Sequence, residues 1–312
     1  MLGRLGKDAG SLLGVEITPP FIRLVQLRRH RGRYKVQAWA LEPLPLTAMH
    51  NGWIGDPDQV GASLLRAVRR SAGTSRRAAI ALPAGLLIEK LLTLPADLDD
   101  QALAEHLPAE AGQFVPFALE EAAIDFQAMG IDPQDPQRQR VLVAACHLAS
   151  LDALQASLEV AGVHASVVEP DTHALLRAVQ PSLVGGELLL QLEANSVVIH
   201  EQGDGPVSLH REIPLHCSGD VVQALVSAVD NYLLSSPGRV LPEQLLLCGA
   251  GVSGLHSPEQ LQQRLGMAVQ YVDPFKPMML AAGLDTEVLK AQAPCLAVAC
   301  GLAMREGNRC LN

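Results

Sequence analysis

Two widely separated stretches of this chain share one layout, and that repetition constrains the fold more than any other feature. Residues 12–41 open with β-like runs at about 12–17, 21–28 and 33–41, the last two turning around Gly32. Residues 187–215, "ELLLQLEANSVVIHEQGDGPVSLHREIPL", again read as three strands, with turns at Ala194–Asn195 and Gly203–Asp204–Gly205. Each unit leads into a helix. After the first, Asp56 and Pro57 offer a cap and first turn to a helix with an apolar face of Val60, Leu64, Leu65 and Val68. After the second, a helix is expected at about 218–235. Then "EQLLLCGAGVSGL" runs a strand into a glycine-rich turn, followed by a helix from Ser257 and Pro258 through Leu265, with Gly266 after it. Two such halves predict a duplicated α/β architecture with a ligand cleft between them.

Between the halves the pattern restarts at Arg76: "AAIALP", "LLIEKLLTLP", a helix near 98–112 behind Asp97, Asp99 and Asp100, then "ALEEAAIDFQAMG" and "RVLVAACH". A helix on Leu151, Leu154, Leu158 and Ala161 ends at Gly162, a favoured residue just past a helix C-terminus. This reads as an α+β unit inserted over 76–162. The expected division is a first lobe of 1–75 with 163–185 and 292–312, and a second lobe of 186–291.

Composition narrows the function classes. With 48% apolar and 18% charged residues the chain is globular, not disordered. Aromatics are 3%, which argues against stacking platforms for single strands, and a formal net charge of −9 opposes binding to nucleic acid. One basic cluster, Arg28, Arg29, His30, Arg31, Arg33 and Lys35, surrounds Gly32. It is expected to be a solvated hairpin tip, with contact to anionic lipid headgroups as the competing reading. Six cysteines, Cys146, Cys217, Cys248, Cys295, Cys300 and Cys310, form no C-x-x-C pair and no zinc spacing. "MLGRLGKDAGSLL" lacks a secretory apolar core, and no window nears the ~20 apolar residues of a membrane span. A cytoplasmic protein is expected, with the membrane reached only through a partner.

A set of segments then resembles one family: "LLGVEITPPFIRLVQLRRHRGRYKVQAWALEPLP", "VPFALEEAAIDFQAMG", "VLVAACHLASLDALQASLEVAGVHASVVEPDTHAL", "LHREIPL", "LLLCGAGVSGL", "VDPFKPM" and "APCLAVACGLAMR". In order and spacing they resemble the PilM family, actin-like proteins of type IV pilus assembly. The resemblance implies a duplicated actin-like (ribonuclease H-like) fold with an inserted α+β subdomain in the first lobe. It also implies a cleft in which two hairpin turns hold ATP phosphates through carboxylates, small residues and hydroxyls.

This sequence departs from that pattern in both turns. Glu16 stands where the family carries aspartate, Pro19 and Pro20 stand where small hydroxyl residues are usual, and Phe21 adds bulk. Proline has no N–H to donate. Thr18 and Arg23 keep useful chemistry. In the second turn Gln191 replaces the aspartate, Glu193 the glycine and Val197 a hydroxyl residue. A unit-charge repulsion at about 4 Å is worth roughly 4 kcal/mol at an effective dielectric near 20, so Glu193 would offset several hydrogen bonds to a phosphate. Gly249 and Gly251 still suit a base and ribose, or simply a tight turn. The lid of the second lobe is also shorter than the resemblance implies. The expectation is a vestigial nucleotide cleft of Gly14, Glu16, Thr18, Arg23, Gln191, Glu193, Gly249 and Gly251, with no catalytic residue, no metal and no cofactor; ATP with Mg²⁺ is the alternative.

Other candidates carry less. Glu120 and Glu121, read as strand neighbours beside Asp125, would point to opposite faces and are expected to be surface acids. His200, His210 and His216 share one expected hairpin as candidate metal ligands but lack a fourth ligand. Cys146–His147 and His216–Cys217 are not catalytic dyads by adjacency alone. The turn Gln113, Phe114, Val115, Pro116 and Phe117 either seals the insertion or lines the groove for the short cytoplasmic tail of a PilN-like bitopic membrane protein, the partner the resemblance implies. The expected role is a non-catalytic scaffold at the inner face of the inner membrane, serving pilus assembly or DNA uptake, with room for other platform proteins and for oligomers. The alternatives are an active actin-like ATPase working through Thr18, Arg23, Gly249 and Gly251, and a platform subunit of type II secretion.

Overall fold

The computed structural model describes residues 12–71, 73–183, 185–201, 209–215, 220–235, 242–255 and 258–305. The Gly203–Asp204–Gly205 turn, His216, Cys217 and Cys310 lie outside them. The chain opens with β1 (Leu13–Thr18), β2 (Phe21–His30) and β3 (Arg33–Pro43), then a short ribbon of β4 (Met49–His50) and β5 (Trp53–Ile54). Helix α1 (Pro57–Ser71) and β6 (Arg77–Leu82) follow, then β7 (Leu87–Pro95), α2 (Asp100–Ala111), β8 (Ala122–Asp132), β9 (Asp135–His147) and α3 (Leu148–Ala161). Next come β10 (His164–Pro170), α4 (Asp171–Val179), β11 (Glu187–Leu192), β12 (Ser196–Glu201), β13 (Leu209–Pro214), α5 (Val221–Leu234) and β14 (Gln244–Cys248). The chain closes with α6 (Pro258–Leu265), β15 (Ala268–Tyr271), β16 (Met279–Leu280), α7 (Thr286–Gln292) and α8 (Ala297–Ala303).

Two sheets repeat one order. In the first, β3, β2, β1, β6 and β10 lie side by side; in the second, β13, β12, β11, β14 and β15 do the same. In both, the first three strands pair antiparallel and the last two join parallel. Strands β1, β6, β11 and β14 are covered on both faces, so they read as continuous apolar runs instead of alternating ones. A core of Leu12, Ala79, Leu175, Leu189, Leu246, Val298 and Leu302 ties the two sheets together. Each buried leucine or valine there contributes about 1.5–3 kcal/mol.

Helix α8 is buried along its whole length, and its close packing depends on a glycine opposite it and a glycine of its own. A Cβ on Gly14 of β1 would lie 1.9 Å from the Ala299 carbonyl oxygen, and one on Gly301 would lie 1.8 Å from that of Ala174 in α4. Gly14 therefore serves the packing of β1 on α8.

The insertion is smaller than the sequence suggests. Strand β6, grouped with 76–162, is the fourth strand of the first sheet, level with β1 from Leu13–Ala78 to Val15–Ile80. Helix α3 also belongs to the first lobe: Leu154 and Leu158 share a core with Val60 and Leu64, and a Cβ on Gly61 would strike Val160. What stands apart is the sheet β7-β9-β8 with α2 on it. Strand β16, counted with the second lobe, returns to pair with β3 through Met279–Lys35. Pairings between distant segments decide both corrections, and local patterning carries no trace of them. Between β13 and β14 the one described helix is α5, capped by Asp220, whose carboxylate accepts from the Gln223 amide. No described helix is long and apolar enough to cross a membrane.

Candidate functional site

The cleft lies where the β1–β2 and β11–β12 turns face each other. Thr18 pairs with Phe21 across the first turn, whose Pro19–Pro20 peptide is cis. Arg23 on β2 is 1% exposed and lies beneath this turn. Its Nη1 donates to Glu16 Oε1 at 3.3 Å, to the Thr18 carbonyl at 3.2 Å and to the Phe21 carbonyl at 3.4 Å. The arginine thus staples the turn shut from inside.

The second turn is held by a chain of side chains. Gln191 Nε2 donates to Glu193 Oε1 at 2.8 Å, which leaves Gln191 Oε1 to accept from His200 Nε2 at 3.0 Å. His200 is neutral: burial, reinforced by His210, drops its pKa to about 3. Glu193 Oε2 and Glu16 Oε2 are shielded and without hydrogen-bond partners. Burial raises Glu193, opposed by Arg23 and Gln191. It raises Glu16 to about 7, with Arg23 opposing and Glu193 and Asp171 adding to the rise. Asp171, at the start of α4, is also pushed up to about 7 by burial and by Glu193, although its carboxylate accepts from the Ala84 and Thr172 amides at 3.0 and 2.8 Å.

The third turn presses on the second. Gly249 has a φ of 98°, and a Cβ there would lie 2.4 Å from the Leu192 carbonyl oxygen; one on Gly251 would lie 2.5 Å from that of Glu193. Both glycines thus have a packing reason. One cavity of about 220 Å³ is lined by Pro20, Leu192, Glu193, Leu215, Val221 and Gly251, and a second of about 310 Å³ reaches Val252 and Leu255 of the third turn together with Tyr271, Lys290 and Cys295. The first turn thus offers two prolines, the arginine is engaged with Glu16, and a carboxylate holds the second turn. Among the described residues, no group of three or more His, Cys, Asp or Glu is arranged to hold a metal ion.

The 113–117 turn divides. Phe114 joins the insertion core with Leu103, Leu107 and Val143, under the Lys90 ammonium at 4.6 Å from its ring, and Val115 is buried. Gln113 and Pro116 are exposed. Phe117 turns towards the first lobe, 4.6 Å from the His147 ring, which in turn meets Trp53 edge-on at 5.8 Å. Trp53 is 39% exposed, so a partly open aromatic seam runs from the β4–β5 ribbon to the insertion. Glu120 and Glu121 sit in a helical turn, not on a strand, and Glu121 Oε2 lies 3.5 Å from His147 Nε2.

The model of the type IV pilus assembly protein PilM matches residues 14–203 and 193–307. This chain belongs to the PilM family. Among solved structures, a PilM-PilN type IV pilus biogenesis complex aligns with a TM-score of 0.77 at 20% identity, covering 96% of this chain and 99% of that one. The ethanolamine utilization protein EutJ from Carboxydothermus hydrogenoformans aligns at 0.51 and 13% identity, covering 94% and 89%. The cytoplasmic domain of EpsL, from the type II secretion system of Vibrio cholerae, reaches 0.47 at 12% identity over 90% and 93%, too weak a likeness to bear on function. The repeated sheet order agrees with the PilM and EutJ likenesses on the actin-like fold.

For a PilM-family chain, two features of these sites are not evident from sequence. Asp171 joins the cleft carboxylates from the start of α4, a segment that the sequence marks only as part of the first lobe. Trp53 and His147 join Phe117 from segments far apart in the chain; one of only two tryptophans in a chain this poor in aromatics is the signal that could have marked the seam.

Proposed function

We propose that this PilM-family chain is a non-catalytic scaffold of type IV pilus assembly, working by binding and not by turnover. Its partner is the short cytoplasmic tail of a PilN-like bitopic membrane protein, which holds it at the inner face of the inner membrane. The observation that carries this reading is the contrast between the two sites. The phosphate turns are closed by Arg23–Glu16 and Gln191–Glu193, while the seam of Trp53, His147 and Phe117 keeps aromatic surface open. One solved relative is itself a complex of PilM with PilN. An extended tail would place one or two apolar anchors on these rings and bond its backbone alongside.

Two titrations test it. With Trp39→Phe leaving Trp53 as the sole reporter, a peptide of the cognate tail should change its fluorescence saturably, and Phe117→Ala should weaken binding at least about tenfold. Loss of thermal stability together with affinity in Phe117→Ala would make that residue core and remove the site. Calorimetry with Mg-ATP should give no binding, and a micromolar affinity would overturn the scaffold reading.

A further inference from the structure

Charge is divided unevenly along this chain, and the fold sharpens the division. From Thr18 to Ile88 there are eleven Lys and Arg against three Asp and Glu; from Glu89 to Glu159 there are three against thirteen. No acid occurs between Thr18 and Leu41 or between Gln59 and Ile88.

Part of the basic stretch, the hairpin cations with Arg76 and Arg77, gathers at one end of the first sheet, whereas Arg23 pairs with Glu16 at the other and Arg66 and Arg70 pair with Glu42. Leu13, the first residue of β1, is level with Gln26, so the β2–β3 hairpin overhangs it from Leu27 onward and turns through Arg31 (φ 51°) and Gly32 (φ 79°). Arg31 and Arg33 are exposed at the tip of this overhang. Strand β6 starts at the same end, since Ala78 is also level with Leu13, which brings exposed Arg76 and Arg77 beside the hairpin. Arg77 Nε donates to the Ser166 hydroxyl at 3.1 Å and Arg76 Nη1 to the Ser75 carbonyl at 3.3 Å. None of these four arginines is ion-paired with a described residue. The acidic insertion begins past the opposite end of β6, about 20 Å away at strand spacing. That exceeds a Debye length of about 8 Å, so each end acts by its own sign.

We propose that this basic end docks directly on an anionic lipid surface, headgroup phosphates meeting Arg31, Arg33, Arg76 and Arg77 while the acidic insertion points away. The hairpin alone reads as a solvated tip; Arg76 and Arg77, supplied from a distant segment, turn it into a patch. Choosing lipid over other polyanions rests on the proposed capture of a membrane-anchored tail, which keeps the chain beside a bilayer. The contact itself needs no tail.

Co-sedimentation with vesicles tests this without the tail. The full chain should pellet with phosphatidylglycerol mixed into phosphatidylcholine, not with phosphatidylcholine alone, and release as salt rises. Arg31→Glu with Arg33→Glu, and separately Arg76→Glu with Arg77→Glu, should each lower vesicle affinity about thirtyfold or more, with unchanged melting and unchanged affinity for the free tail peptide. Equal pelleting on both vesicle types, or full binding by the variants, overturns the proposal. So does a finding that the variants lose affinity only for duplex DNA, or only for a second copy of the chain. Failure of the tail titration with retained vesicle binding would count against tail capture alone.

Discussion

Burial raises the proton affinity of Glu16, Asp171 and Glu193, Glu193 adds to the rise of the other two and Asp171 to that of Glu16, and one arginine cannot neutralise all three. Asp171 is the clearest reporter because no described cation pairs with it. Its folded pKa, about 7, lies above the 3.8 of an ordinary aspartate. Between those values the folded chain holds a proton that the unfolded chain has released, so stability from this group is present at low pH and lost as pH rises through the window. Asp171→Asn cannot ionise. Its stability relative to the unsubstituted chain should therefore improve as pH rises across that window, by on the order of 2 kcal/mol after allowing for the partial solvent contact of Asp171. Urea unfolding of both proteins at several pH values measures this, and a difference independent of pH would refute it. The sequence marks Glu16 and Glu193 through the resemblance, because both sit in or beside turns whose layout repeats. It conceals Asp171, whose place beside them depends on β10 lying next to β6, a parallel pairing with no local signature.

Turns that touch other turns show what a glycine is for. In the sequence, Gly249 and Gly251 suit a nucleotide or a tight turn equally; in the fold, the β14 turn rests on the backbone of Leu192 and Glu193. Gly251→Ala must push the two turns apart, and should destabilise the ligand-free protein by about 1–3 kcal/mol in thermal melts. A residue reserved for ligand would leave that melt unchanged, so an unaltered transition would restore the binding reading. Most elements were legible for the same local reasons: α1 by Asp56, Pro57 and its buried stripe, α3 by its end at Gly162, where φ is 64°. Element membership was not. Strand β6 looks like the start of the insertion because it shares its apolar character with β7, and only the Leu13–Ala78 register assigns it to the first sheet.

At the scale of the whole molecule, the aromatic seam and the basic end lie at opposite ends of the first sheet. Gly52, beside Trp53, packs on Pro83 and Leu86 just past β6, level with Thr18, whereas Arg31 caps the far end of β2. Strand β2 runs ten residues from Phe21 to His30, nine steps and about 30 Å at strand spacing. A tail leaving a bilayer at the basic end must therefore cover at least about ten extended residues before its anchors reach Phe117. When the tail is long enough, the two contacts reinforce each other through effective concentration. The tail peptide tethered to phosphatidylglycerol vesicles through a long spacer should then bind the chain more tightly than free peptide does. Arg31→Glu with Arg33→Glu should erase that gain, leaving free-peptide affinity intact. With a spacer too short to span β2, the gain should vanish even for the unsubstituted chain. A gain that ignores spacer length would place the seam and the lipid contact on the same end of the molecule, against the register of β1, β2 and β6.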